Sequence, residues 1–176
     1  NANYDIGHTV STGGGGLAGL GVVCLFGQKA RGITGSTSPV GDPYDIDYVA
    51  HEMGHQFGGP HTFSSNDDTA GNCDSGNVSA ANAVEPGSGS TIMAYAGICE
   101  ENVQSNSDAY FHAVSIASMN AVMVGTGNCA PQAANGNNAP VISALTNRTI
   151  PRGTAFMLTG SATDANAGAS LTYCWE

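Results

Sequence analysis

The sequence predicts an α+β domain of a few short strands and two helices, followed by the start of an all-β, sandwich-like segment. Three observations carry that reading. Residues 46–57 (IDYVAHEMGHQF) and 107–124 (SDAYFHAVSIASMNAVMV) repeat apolar side chains at three- and four-residue steps. Short β-prone runs punctuated by glycine precede the first of them. A Pro-, Asn- and Gly-rich stretch, residues 130–140 (APQAANGNNAP), separates all of this from a tail in which β-prone runs alternate with turns. Domains are therefore expected at 1–129 and 141–176, with 130–140 as linker.

Taken in order, Asp5–Thr12 and Leu17–Phe26 read as two strands joined by a flexible turn through Gly13–Gly16, and Ala30–Thr34 as a third, short strand. The first helix has Asp45 or Asp47 as candidate cap and stops at Gly58-Gly59-Pro60. Residues 62–90 are rich in Ser, Asn, Asp and Gly and predict a long irregular loop that needs a disulfide or a metal to pin it. Ser107 is the candidate cap of the second helix and Gly125 its stop. After Pro140 only about three strands fit, against roughly seven for an immunoglobulin-like sandwich, so that domain is expected to be cut short.

Composition excludes several functions. The 176 residues contain 4 Lys plus Arg against 14 Asp plus Glu, a formal net charge of -10. No Lys or Arg lies between Ile33 and Asn147, so nucleic acid and anionic membrane surfaces are disfavoured partners and cations favoured ones. No apolar run reaches the length of a membrane span. Five widely spaced Cys with no CxxC pair point to disulfides in an oxidising compartment, hence to an extracellular protein.

The chemistry lies in HEMGHQFGGPH, residues 51–61. His51 and His55, four residues apart on a helix, share a face and present two imidazoles to one ion, with Glu52 rotated to one side of them. Gly58 suits the left-handed turn that ends the helix and brings His61 round as a third ligand. Three His and an open fourth position describe a catalytic zinc site, whereas structural sites close the fourth position. By composition, the five fixed positions arise by chance in on the order of one chain in 10^5.

HExxHxxGxxH resembles the signature of the metzincin zinc endopeptidases, and Ser90-Thr91-Ile92-Met93-Ala94-Tyr95 resembles their methionine turn, with Met93 as its methionine. Within that group the cysteine pattern is most similar to the reprolysin (adamalysin-like) enzymes and their bacterial relatives. The resemblance implies a zincin-like fold, of which this chain holds the C-terminal half-domain, and pairs Cys24 with Cys129 and Cys73 with Cys99. Cys174 falls outside both pairs. It also implies a protein or peptide substrate lying extended along the strand that carries Leu17, Ala18 and Gly19, and a specificity pocket walled by residues 94–97 and the second helix. The resemblance also places further strands and helices, the N-terminal half of the catalytic domain, ahead of Asn1, as a separate chain, a lost fragment or an unneeded one. Tyr95 is more similar to astacins and serralysins, where such a tyrosine stabilises the oxyanion; packing with its hydroxyl on a neighbour is the other reading.

The resemblance thus implies a secreted endopeptidase with Glu52 as general base on zinc-activated water. The alternatives are a zinc-holding binding or adhesion module without turnover, and a zinc hydrolase of non-peptide substrates. Calcium is a second candidate ion, at Asp42/Asp45/Asp47 or Asn66/Asp67/Asp68, although helix capping and a solvated loop account for the same residues. His8 and His112 lack ligand spacing and read as packed or surface histidines. The glycosylation sequons at Asn77 and Asn147 are too common to decide anything.

Overall fold

The computed structural model describes residues 3–66, 71–74 and 76–175. The chain divides into two compact units, Asn1–Ala130 and Pro131–Glu176.

In the first unit β1 (Thr9–Ser11), β2 (Gly15–Ala18) and β3 (Gly32–Gly35) form one sheet in the order β1-β3-β2. β3 runs parallel to β1 and antiparallel to β2, with Ile33 opposite both Thr9 and Leu17. This corrects the expected pair of adjacent strands: the third run inserts between the first two, and the second ends at Ala18. Backbone conformation is the reason. Gly21, Cys24 and Gly27 all have positive φ, which a strand cannot hold. The apolar run 19–26 therefore turns, and Gly21 and Val23 donate their N–H groups to the carbonyls of His55 and Gln56 at 2.9 and 3.3 Å. Residues that read as strand instead donate to carbonyls at the end of the first helix.

That helical segment starts earlier than its periodicity indicates. α1 (Asp42–Tyr44) leads into a π-helical stretch, Asp45–Ala50, and then into α2 (His51–Gln56). Pro43 stands in the first turn, where its missing N–H is no loss. Neither Asp45 nor Asp47 is the cap; Gly41 holds that position, and Asp47 Oδ1 accepts the N–H of Ser107 at 2.7 Å. At the far end Gly58 has φ 100°. Gly58 N–H donates to His55 O at 2.8 Å and Gly59 N–H to Gly54 O at 2.9 Å, the crossed pair that ends a helix and reverses the chain.

The second helix, α3 (Ala113–Val124), is shorter than expected at its start. Residues 107–111 spend their backbone groups elsewhere: Ser107 on Asp47, Asp108 N–H on Ser90 O, and Tyr110 O on Ile92 N–H. His112 is the cap in place of Ser107, its Nδ1 accepting from Val114 N–H at 3.1 Å, and Gly125 closes the helix. Cys73–Cys99 pins the irregular loop, and both cysteines pack with Phe63 and Ala94 in a buried cluster against Val78 and Tyr95. Cys24–Cys129 ties the turn after β2 to the chain beyond α3.

In the second unit β4 (Val141–Ile142) pairs antiparallel with β5 (Ala162–Thr163). Among the described residues this two-stranded pair stands where about three strands and the start of a sandwich were expected. Ile142, Phe156 and Met157 remain exposed, so no second sheet covers them there.

Candidate metal centre

His51 opens α2, His55 follows one turn later, and the reversal at Gly58 carries His61 back to them. The ring centroids lie 4.7 Å (His51–His55), 4.6 Å (His55–His61) and 5.2 Å (His51–His61) apart. Ligand atoms of all three lie within 4.8 Å of one another.

Each imidazole is fixed through its Nδ1 by a backbone carbonyl: His51 by Ile92 O at 2.6 Å, His55 by Gly59 O at 2.7 Å and His61 by Asn77 O at 2.7 Å. A carbonyl only accepts, so Nδ1 carries the proton and Nε2 keeps its lone pair. His55 Nε2 and His61 Nε2 then face each other at 3.0 Å with no proton to share. A cation between them resolves that contact, and tetrahedral zinc with nitrogens at about 2.05 Å spaces them by about 3.3 Å. Burial reinforces the neutral state. His51 is held well below the usual histidine range by burial and then by its two neighbours. His55 is pushed down to about 4 by burial and then His61, and His61 is lowered by burial. The residues fit zinc.

Glu52 is buried beside the triad, and burial pushes its carboxyl up to about 7. Its Oε2 is buried and has no hydrogen-bond partner among the described residues. Gly16 of β2 lies against this carboxyl: a Cβ built there comes within 2.3 Å of Oε1. Tyr95 stacks on Phe63 at 4.5 Å and meets the His61 ring at 4.5 Å. Burial and then the Glu52 charge push its hydroxyl up to about 12.

Met93 is fully buried beneath α2. A Cβ on Gly54 would lie 2.4 Å from its sulfur, so the glycine between the two helix histidines is what lets the methionine approach. The same turn supplies the Ile92 carbonyl that orients His51.

Two cavities flank the triad. One of about 550 Å³ is lined by His51, Glu52, residues 94–98, Asp47, Tyr48 and residues 105–107. The other, of about 510 Å³, is lined by Leu17, Ala18, His55, His61, Asn77 and Tyr95. Among the described residues β2 is an edge strand, paired with β3 on one side only. The expected pocket wall is corrected in part: residues 94–97 line the first cavity, but α3 does not, because that helix starts only at Ala113. Gly19 lies past the end of β2, its N–H bonded to Arg31 O, and lines neither cavity.

Of the other candidates, His8 bonds Gln56 Oε1 and Thr34 Oγ1 at 2.7 and 2.8 Å and packs away from the triad. Asp42, Asp45 and Asp47 do not gather into a metal-holding group among the described residues. Asp67 and Asp68 lie outside the described residues. The three orienting carbonyls, Gly16 beside Glu52 and the burial of Glu85 are features that motif reading missed. Backbone acceptors leave no mark in a sequence, and a single Glu in AVEPGSG has no spacing to betray it.

Neither an individual curated protein nor a solved structure matches the chain. The description "Metallo-peptidase family M12B Reprolysin-like" belongs to a family model that matches residues 1–125, the stretch that holds the triad, Glu52 and Met93. With a histidine triad built for zinc inside that match, the chain belongs to the M12B reprolysin-like metallopeptidases.

Proposed function

We propose that this chain is a secreted endopeptidase of the metzincin type, with Glu52 as its general base and His51, His55 and His61 as its zinc ligands. The observation that carries this reading is the convergence of three proton-free Nε2 atoms beside a buried carboxylate that has an unpartnered oxygen. Zinc, when bound, acidifies a water to about pKa 7 and polarises the scissile carbonyl.

The protein's own groups do the rest. Glu52 takes the proton of the attacking water and hands it to the leaving amine, and the burial of its carboxyl beside the triad favours its carrying that proton. Tyr95, its hydroxyl held protonated, donates a hydrogen bond to the carbonyl oxygen as negative charge develops there. The substrate pairs with the free edge of β2, where Gly16, Leu17 and Ala18 leave the backbone open. Its side chains enter the cavities on either side of the triad.

Two disulfides support an extracellular setting. No described helix is long and apolar enough to cross a membrane. The β4–β5 pair and the alternating pattern after Val141 support residues 141–176 as the opening of an Ig-like sandwich. Val10, Leu17 and Ile33, exposed on and beside the sheet, support a further segment that completes the catalytic domain.

The test is cleavage of an unfolded protein by zinc-loaded chain against Glu52→Ala. Loss of proteolysis with zinc retained supports the base assignment, and equal cleavage by both removes it.

A further inference from the structure

Glu85 is a buried carboxylate, and described residues around it hold it by hydrogen bonds. It accepts four. Oε2 takes Thr62 Oγ1–H at 2.6 Å and Thr91 Oγ1–H at 2.8 Å. Oε1 takes the backbone N–H groups of Thr91 at 3.1 Å and Ser90 at 3.3 Å. Thr62 and Thr91 are themselves almost fully buried. The backbone repeats the link, with Glu85 N–H on Thr62 O at 2.9 Å and Thr62 N–H on Met93 O at 3.0 Å.

The positions of these partners decide what the link does. Thr62 directly follows His61. Thr91 directly precedes Ile92, whose carbonyl orients His51. One carboxylate therefore grips the segment that follows one ligand and the turn that aims another.

We propose that Glu85 is a positioning residue for the metal site, holding His61 at a set distance and angle from His51 by bridging Thr62 to the turn at Ser90-Thr91. It touches neither substrate nor metal ligand and acts through the backbone on both sides. The inference rests on the assignment of zinc to His51, His55 and His61.

The test measures metal retention, not turnover. Zinc-loaded chain is mixed with excess chelator and the release rate followed, and cobalt-loaded chain is examined for its ligand-field bands. Glu85→Ala is expected to speed zinc release about 10- to 100-fold, the range for partners that orient metal ligands, and to shift the cobalt bands. Glu85→Gln keeps an acceptor for the two N–H groups and a polar partner for the two hydroxyls. It is expected to restore most of the retention and the parent spectrum. Thr62→Val, which removes one bond of the four, is expected to speed release several-fold. A folded Glu85→Ala with the parent's release rate and cobalt spectrum overturns the proposal. If Glu85→Ala does not fold, Thr62→Val decides: unchanged release overturns the proposal and faster release supports it. Failure of the underlying zinc reading looks different, since the parent itself would then hold no zinc and His61→Ala would behave like it.

Discussion

Gly16→Ala adds one methyl group at the point where the edge strand meets the base. Built on Gly16, that carbon lies 2.3 Å from Glu52 Oε1 and 2.6 Å from both Cδ and Cγ. Carbon contacts are comfortable only from about 3.5 Å, so the Glu52 side chain has to retreat by about 1 Å. Because Cγ is hit as well as the tip, rotation of the carboxylate alone does not relieve the clash. A misplacement of about 1 Å costs on the order of 10²-fold in rate, within the 10²- to 10⁴-fold that a general base contributes. Gly16 has no positive φ, and the three atoms nearest to the added carbon all belong to Glu52, so folding and metal content should stay as they are. The assay is kcat on a quenched peptide, with zinc measured on the same sample. The expected result is a kcat lowered about 100-fold at one zinc per chain. Parent-like kcat would mean that Glu52 does not work from the position where the structure holds it.

Gly54→Ala drives a methyl into Met93 Sδ at 2.4 Å and towards Phe111 at 3.2 Å. Overpacking of about 1–3 kcal/mol outweighs the gain of about 1 kcal/mol in helix propensity, and thermal unfolding of the zinc-free protein should shift downward. Replacing both Cys73 and Cys99 by Ala opens a loop with a sequence separation of 26. By chain entropy that removes about 3.5 kcal/mol of stability, read by denaturant titration. Along the larger cavity Glu52 and Asp47 are the charged side chains among the described residues. Peptides with Asp or Glu next to the scissile bond should therefore be cleaved about tenfold more slowly than their Lys or Arg counterparts, a gap that added salt narrows.

Much of the metal site was legible because its ligands obey helix geometry: a step of four residues from His51 to His55, then a left-handed turn at Gly58, can be counted along the chain. The disulfides Cys24–Cys129 and Cys73–Cys99 agree with the pairing that the family resemblance implied. Strand order was not legible. The run 17–26 is β-prone in composition, but positive φ at Gly21 and Cys24 is dictated by docking onto the end of α2 and by a disulfide more than a hundred residues away. Ser107–Phe111 has helical periodicity, yet its backbone groups bond to Asp47, Ser90 and Ile92, partners that local propensity cannot anticipate. Glu85 escaped notice for the same reason, since its importance lies in which distant threonines and amides surround it.

Casein digestion by zinc-loaded chain, run beside Glu52→Ala with metal content determined for both, tests whether this site is a working peptidase centre. The account predicts cleavage by the parent, loss of cleavage in Glu52→Ala, and one zinc in each. Cleavage that survives Glu52→Ala unchanged, with one zinc in each, would contradict it.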